Sequence, residues 1–384
     1  MKTTFTVFFS AAIWVLLPNT VMADDPRAYQ HGVDFIKQAQ DQLILIWASS
    51  GIPPSGADAE GEWTHDIYYS WIDSTEPHIK PVKLISAPAA QEPASAGMTT
   101  DGHIMITMED AYRAENELAQ TYAIYDQSMT VIKAYPNVVF DGGHSGHVDA
   151  VANQFLVFYS EGWVDGGGVE QLGSGDDVWL DVFDSVGHRL LHQAVAVGEK
   201  SRDWWPLIAG SRQSALLLWQ RFIEGQAHAR LMYALFDPLR HQWVYPATEL
   251  SNQLRYYHYD VQFIAPLNLF FINAADKNGT GFACLISNDG KVVARHTRLP
   301  PMVRESQPAW QAIGPDRVKL VYASNPGKLV ILEISRSNIQ LQNKISVTDF
   351  WPNSGTDGVF LNKNRLYFVS LFPSGIKGFK IDLQ

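Results

Sequence analysis

The sequence has 384 residues, of which 46% are hydrophobic and 18% are charged, and its formal net charge is −11. These proportions are typical of a globular protein with a large core and exclude a disordered chain. The negative charge, without a cluster of Lys and Arg, argues against a nucleic-acid surface and against an anionic-membrane surface, because both require concentrated positive charge.

The first 23 residues have the pattern of a secretory signal peptide. Lys2 supplies the positive start, residues 5–17 form an apolar core, and Val21-Met22-Ala23 is a small-residue cleavage site. The apolar run is too short and too interrupted to span a membrane as a helix. We therefore predict a signal peptide over residues 1–23, a single mature domain over residues 24–384, and a location in the periplasm or outside the cell.

One strand pattern recurs along the mature chain at intervals of roughly 50 residues. Its third strand ends in a turn signal, and the copies are 69–73, 122–126, 180–184, 233–237, 285–289, 332–336 and 379–382. Its second strand is an apolar run, and the copies are 43–47, 104–108, 155–159, 215–219, 269–272, 318–322 and 366–369. Alternation within these runs has a period of two, which is typical of strands.

Seven copies of such a unit predict an all-β chain, a seven-bladed β-propeller of four-stranded antiparallel blades. A solenoid or a row of separate sandwiches is the structural alternative. The last unit has room for only three strands before Gln384. We therefore expect part of the N-terminal segment 24–29 to supply the missing outer strand and close the ring.

In this architecture, the loops that lead into the innermost strands surround one mouth of a central channel. These loops are rich in His, Trp and Tyr, with aspartates nearby. Aromatic rings stack on sugars while carboxylates and imidazoles bind hydroxyl groups, so a carbohydrate site is predicted at this mouth. The simpler alternative is that the rings only pack between blades. The candidate aromatic contacts are Trp205 and Trp310. Glu305 with Arg304 is a further candidate for polar contacts at the rim, with solvated charges as the default interpretation.

The segment His144-Ser-Gly-His147 is the sharpest local motif. Its imidazoles could act as a general base or bind zinc, with His31 or His258 completing either arrangement, or they could be hydrogen-bonded loop residues. The Gly-rich segment 162–177 is predicted to be a flexible acidic insertion, with a calcium loop as the alternative. No cofactor or metal is predicted, since neither zinc nor calcium has a complete ligand set in the sequence.

Two stretches carry a family resemblance. Residues 42–47, followed by 63–70, resemble the blades of sialidase-like propellers of the BNR-repeat type, and residues 144–160 resemble the His-containing blade start of propeller polysaccharide lyases such as the ulvan lyases. The Asp-box pattern of sialidases is degraded in this chain, and no arginine triad can be identified. These departures from the sialidase pattern disfavour sialidase activity.

The lyase resemblance implies roles for individual residues. His147 would be the base, Tyr257 or His258 its partner, and Arg202 or Arg255 the group that neutralises a substrate carboxylate. His144 would contact the substrate. Asp203 with Glu161 would instead suit a hydrolase that uses paired carboxylates.

Two functions from different classes follow. In the first, an exported propeller binds and cleaves an acidic polysaccharide by proton abstraction. In the second, it is a non-catalytic platform for a glycan or for a protein of the cell envelope. An enzyme predicts a deep cleft in which at least two of four residues converge: His144, His147, Tyr257 and His258. A platform predicts a flat mouth.

Overall fold

A computed structural model describes residues 30–38, 42–50, 65–110, 118–169, 171–198, 201–324, 327–347, 355–372 and 374–383. All regular elements in these ranges are β-strands. The described residues contain no helix that is long and apolar enough to cross a membrane. The predicted signal peptide and the predicted closing segment 24–29 lie outside the described residues.

The strands follow the predicted units in order. Unit one contains β1 to β4, which are Gln30–Lys37, Leu43–Ser49, Asp66–Ile72 and Val82–Ile85. Unit two contains β5 to β8, which are Gln91–Met98, Ile104–Asp110, Ala119–Tyr125 and Val131–Asp141. Unit three contains β9 to β12, which are Gly143–Val151, Gln154–Val164, Ser174–Asp184 and Arg189–Ala196. Each of these units forms one four-stranded antiparallel sheet.

The remaining strands form three more sheets. Units four and five contain β13 to β19, which are Asp203–Gly210, Ala215–Phe222, Ala229–Asp237, Gln242–Ile264, Leu269–Asp276, Gly281–Ile286 and Val292–Leu299. Unit six contains β20 to β23, which are Ala309–Gly314, Arg317–Ser324, Lys328–Ser335 and Asn338–Ser346. Unit seven contains β24 to β26, which are Thr356–Asn362, Arg365–Phe372 and Gly375–Asp382. The expectation of only three strands in the last unit is confirmed.

Strand β16 joins units four and five into one seven-stranded sheet. Its first part pairs with β15 up to Leu254, and its second part pairs with β17 from Leu254 onward. The sequence pattern predicts two separate strands here. The strand continues through Pro246 and through a register shift between Leu254 and Tyr259. In the part of the chain that the structure describes, the strands pair into six sheets, and a count of seven blades stays a prediction.

The core lies between neighbouring units rather than within any one sheet. Leu156 of β10 and Leu180 of β11, for example, belong to one buried cluster with Leu217 of β14 and Ala234 of β15. Every residue of β2 is buried, as expected for a strand covered on both faces. This double burial explains why the second strands appear in the sequence as continuous apolar runs.

The Gly-rich segment is more regular than the sequence indicates. Trp163 pairs with Gly175 and Val164 pairs with Ser174, so β10 and β11 extend into the predicted insertion. Strand β10 ends at Val164 and β11 begins at Ser174, so both strands reach into the predicted insertion 162–177. The ladder can extend through Gly175 because backbone hydrogen bonds do not require a side chain at a paired position.

Candidate functional site

Two cavities surround the innermost strands. A channel of about 830 Å³ is lined by residues from the innermost strand of every unit. A cleft of about 700 Å³ lies off the axis, and its walls are residues 167–169 and 171, residues 222 and 224–227, residues 255–258, and residues 301, 302 and 304. These positions belong to units three to six and to the end of the strands where the mouth is predicted.

Backbone irregularities orient the side chains at this mouth. The starts of the third, fourth and fifth inner strands each contain a non-glycine residue with positive φ: Ser145 at 54°, Trp205 at 55° and Tyr257 at 61°. Strand pairing shifts register in the same three places. Because a bulge interrupts the alternation of side chains, neighbouring residues turn into different spaces.

Trp205 stands between the channel and the cleft. The ring of His31 stacks on it with centroids 6.2 Å apart, and the ring of His147 meets it edge-on at 5.7 Å. Tyr257 packs edge-on against it at 5.0 Å. His147 lines the channel, whereas Tyr257 and His258 line the cleft. The predicted catalytic residues are therefore divided between two compartments.

His31 is held by carboxylates from two other units. Its Nδ1 lies 3.4 Å from Glu92 Oε2, and its Nε2 lies 3.5 Å from Glu305 Oε2. Burial lowers the pKa of His31, but its hydrogen bonds with Glu305 and Glu92 outweigh burial and raise the pKa to about 9. Glu305 also accepts a hydrogen bond from Arg304 Nε at 2.8 Å. The interpretation of Arg304 and Glu305 as solvated charges is therefore wrong, because the Glu305 side chain is only 9% exposed.

His258 has the geometry of a general base. Its Nδ1–H donates to the carbonyl oxygen of Tyr256 at 2.7 Å, which leaves Nε2 as the acceptor nitrogen. Burial lowers the pKa of His258 to about 4, and the charges of Arg255 and Arg304 act in the same direction. The imidazole is therefore neutral at neutral pH. Among the described residues, Nε2 has no hydrogen-bond partner, and the side chain lines the cleft.

Two arginines make this cleft suitable for an anion. Arg255 is exposed and forms no ion pair within the described part of the chain. Arg304 lies over the ring of Tyr257, with 4.2 Å between the guanidinium carbon and the ring centroid. The hydroxyl of Tyr257 accepts a hydrogen bond from Trp204 Nε1 at 3.1 Å, so this side chain is fixed from both sides.

The remaining histidines of the motif are used differently. His144 Nε2 donates to the carbonyl oxygen of Gly162 at 2.9 Å, and its Nδ1 lies 3.0 Å from Ser145 Oγ. His147 Nδ1 lies 3.2 Å from the carbonyl oxygen of Ser145, and burial lowers its pKa to about 4. Within the described ranges, no three His, Cys, Asp or Glu side chains are arranged to hold a metal ion. The pair therefore matches the hydrogen-bonded alternative more closely than a zinc site.

Arg202 holds the Gly-rich loop. Its Nη2 donates to the carbonyl oxygens of Val164 at 2.6 Å and Gly166 at 2.8 Å, and its Nε donates to Ser174 Oγ at 2.7 Å. Its guanidinium also packs over the ring of Phe222, 4.5 Å from the centroid. These contacts engage the donors of the guanidinium in fixing one wall of the cleft. Arg255 is consequently the better candidate for binding a substrate carboxylate.

Three further predicted site residues lie away from the cleft. Asp203 is fully buried, where it accepts from Arg221 Nε at 2.8 Å and from Trp219 Nε1 at 2.6 Å. Glu161 lies on β10 opposite Asp177, and burial and that neighbouring charge raise its pKa. Trp310 lines the channel. The structure thus keeps Asp203 in an internal ion pair.

Sequence reasoning missed the part that Glu92 plays at the mouth. Glu92 bridges His31 and His65, whose Nε2 lies 3.2 Å from its Oε2. Its position at the start of the second inner strand is the only signal in the sequence, since it corresponds to His31 in unit one. Gln226 was also missed, because it lies in a short exposed loop without a motif.

Comparison with known proteins identifies the fold. No family model matches the chain, and no curated protein matches it. Solved structures do match. The lectin BP39L from Burkholderia pseudomallei is 11% identical over 89% of this chain and 92% of the lectin chain, with a TM-score of 0.56. The WD40 domain of Toxoplasma gondii coronin is 8% identical over 92% of this chain and 81% of that chain, with a TM-score of 0.54.

A third solved structure supports the same conclusion. The polysaccharide lyase Uly1 is 10% identical over 92% of this chain and 90% of that chain, with a TM-score of 0.53. The chain is a β-propeller. At these identities the likeness establishes the fold alone. The predicted resemblance to propellers that include a polysaccharide lyase is therefore confirmed at the level of fold.

Proposed function

We propose that this propeller acts outside the cytoplasm, as the predicted signal peptide indicates, and binds and cleaves an acidic polysaccharide in the cleft between Arg255 and Arg304. The observation that carries the proposal is the environment of His258. A neutral imidazole faces the cleft with an acceptor nitrogen, and two arginines stand beside it on a chain whose net charge is −11. Positive charge concentrated in one cleft of an acidic protein favours an anionic ligand.

The chemistry that suits these groups is β-elimination at a uronate. Arg255 pairs with the uronate carboxylate, and Arg304 adds positive charge beside it, which stabilises the negative charge that develops when the adjacent carbon loses its proton. His258 Nε2 takes that proton. The carbon–oxygen bond of the glycosidic linkage then breaks as a carbon–carbon double bond forms in the uronate ring.

Tyr257 is the candidate acid for the leaving oxygen. The hydrogen bond from Trp204 Nε1 stabilises the charge that the phenolic oxygen gains when it gives up its proton. The reaction is balanced, since one proton moves to His258 and one moves from Tyr257 to the leaving oxygen. Solvent then restores both residues. His147, which the lyase resemblance implied as the base, faces the channel and has no part in this scheme.

The test is depolymerisation of a panel of acidic polysaccharides by the purified protein. New reducing ends and the ultraviolet absorbance of an unsaturated uronate are measured together. We expect both signals from the wild type, and neither from His258→Ala. The matched control is His78→Ala, which removes an exposed histidine far from the cleft in sequence and should leave both signals unchanged.

The position of His147 favours a second candidate function, binding without cleavage. The cleft has the convergence of Tyr257 and His258 that an enzyme requires, but the backbone engages His144 and His147, so the cleft lacks the base that the lyase resemblance implied. In that case the same panel gives no turnover, while a uronate polymer still binds and Arg255→Ala abolishes the binding. Absence of both binding and turnover across uronate-containing polymers would refute both functions.

A further inference from the structure

Glu305 contacts two residues of the cleft without lining the cleft itself. It lies in the segment that leads into unit six. Its backbone N–H donates to the carbonyl oxygen of Tyr257 at 3.0 Å, and its Oε1 accepts a hydrogen bond from Arg304 Nε at 2.8 Å. Glu305 therefore touches the proposed acid of the reaction and one of the two arginines that stabilise the developing charge.

Three contacts hold Arg304. Its Nε is bonded to Glu305, and its guanidinium carbon lies 4.2 Å from the centroid of the Tyr257 ring. Its carbonyl oxygen accepts the N–H of Gly355 at 3.0 Å. Among the described residues, Nη1 and Nη2 of Arg304 form no hydrogen bond, and the side chain lines the cleft. The contact through Nε thus leaves both terminal nitrogens available for an anion, which a guanidinium binds as a fork.

The carboxylate of Glu305 is held in turn by unit one. Its Oε2 lies 3.5 Å from His31 Nε2, and Glu92 Oε2 lies 3.4 Å from His31 Nδ1 on the other side of that ring. The Glu305 side chain is largely buried, and a buried charge requires a partner of opposite charge. Arg304 and His31 supply such partners from two directions. The contacts form a chain from Arg304 in the cleft through Glu305 and His31 to Glu92.

The backbone of Glu305 is consistent with a functional position. Its φ is 51°, in the left-handed region that a glutamate rarely adopts. Residues in such conformations are concentrated at functional sites, where the surrounding contacts compensate for their cost. In this conformation the N–H is directed to Tyr257 while the side chain reaches Arg304 and His31.

We propose that Glu305 is a positioning residue of the cleft. It orients the guanidinium of Arg304 toward the charge that develops during elimination, and His31 holds its carboxylate in place. Glu305 does not line the cleft, so it acts on the reaction through Arg304. The inference rests on the proposed function, because it assigns a role within that reaction.

The variant Glu305→Ala tests the inference on the acidic polysaccharide that the wild type cleaves fastest in the panel. We expect kcat to fall by about 10- to 100-fold, because the guanidinium is no longer fixed through Nε. KM should stay unchanged or decrease, because loss of the carboxylate leaves more net positive charge beside the cleft. Glu305→Gln keeps an oxygen that can accept the Nε–H and should give an intermediate kcat.

A double-mutant cycle with Arg304→Lys separates positioning from a structural role. Lysine keeps the positive charge but has no N–H group at the position of Nε. In the Arg304→Lys background, Glu305→Ala should therefore change kcat by less than about twofold. A structural contribution of Glu305 would lower kcat equally in both backgrounds.

The matched control is Glu333→Ala, which removes a glutamate from a surface ion pair with Arg317 in the same unit. It should leave kcat and KM unchanged. Circular dichroism and thermal melting of each variant establish that it is folded. If Glu305→Ala does not fold, Glu305→Gln takes its place in the cycle, with a smaller loss of kcat expected in the same direction.

Three results would overturn the inference and leave the proposed function intact. The first is a wild-type kcat in Glu305→Ala. The second is an equal loss of kcat in the wild-type and Arg304→Lys backgrounds. The third is a higher KM with an unchanged kcat, which would mean that Glu305 supports substrate binding only. Absence of turnover by the wild type across the panel would refute the proposed cleavage and this inference with it, so the wild-type rate distinguishes the two failures.

Discussion

The third and fifth inner strands begin at the same place in their repeat units but face different surroundings. In unit three, His144 and His147 form hydrogen bonds with backbone carbonyl groups, and His147 lines the channel. In unit five, Tyr257 and His258 face a cleft that also contains two arginines. The difference shows that the position of a histidine in the repeat does not decide its role. The role depends on the local backbone direction and on the hydrogen bonds that the ring nitrogens form.

The strongest test of this comparison replaces each of two histidines in turn and compares the losses of turnover. His258→Gln should lower turnover of a uronate polymer by about 10²- to 10⁴-fold, because glutamine cannot accept the proton. His147→Gln should leave turnover near the wild-type value. Initial rates from ultraviolet absorbance provide the measurement. A larger loss in His147→Gln than in His258→Gln would reverse the assignment.

Asp203 lies at the start of the fourth inner strand, between these two segments. We expect its role to be purely structural. Asp203→Ala removes the partner of the half-buried Arg221 guanidinium and of the buried Trp219 N–H. We expect a loss of about 3 to 5 kcal/mol in the free energy of unfolding, measured by urea titration. Asp203→Asn keeps an oxygen acceptor for Trp219 and should cost less. A stable Asp203→Ala with impaired turnover would instead support the predicted carboxylate pair with Glu161.

His31 stacks on Trp205, which lies between the His147 segment of unit three and the Tyr257–His258 segment of unit five. The separation of these two segments therefore also depends on His31. The folded-state pKa of His31 is about 9, above its ordinary value of 6.5. A raised pKa stabilises the fold fully below pH 6.5, and this contribution is lost as the pH rises through 9. The loss is on the order of 3 kcal/mol. Urea unfolding at pH 6 and pH 9.5 should show it in the wild type.

The control for this pH dependence is His31→Gln, which cannot be protonated. Its stability should change less between pH 6 and pH 9.5 than that of the wild type. An identical pH dependence in the two proteins would mean that Glu92 and Glu305 do not hold a charged imidazole at the mouth.

The fold could be predicted from the sequence because burial leaves a direct trace in it. Strands such as β2 and β14 are covered on both faces, so almost every residue in them is apolar. The boundary within β16 left no such trace. One strand serves two units there, and the register shifts between Leu254 and Tyr259 without a glycine or proline at the bend.

The candidate site could be predicted only in part. The aromatic and histidine residues at the strand starts were recognisable by type, and Arg255, Tyr257 and His258 do meet. The division between channel and cleft was not predictable, because it depends on positive φ at Ser145, Trp205 and Tyr257. None of these residue types is a usual choice for that conformation, so a period-two pattern assigns their neighbours to the wrong face.

The smallest expected effect is a difference in unfolding free energy between substitutions in the two histidine segments. His144 is buried and forms hydrogen bonds through both ring nitrogens, to the Gly162 carbonyl and to Ser145 Oγ. His144→Ala removes a buried ring and leaves the buried Ser145 hydroxyl without this partner, so it should cost about 1 to 3 kcal/mol of unfolding free energy. His258→Ala breaks one hydrogen bond, to the carbonyl oxygen of Tyr256, and opens onto the cleft, where water replaces the lost contact. It should therefore cost less than His144→Ala in the same urea titration. A greater cost for His258→Ala would mean that this imidazole supports the fold, and would weaken its assignment as the base.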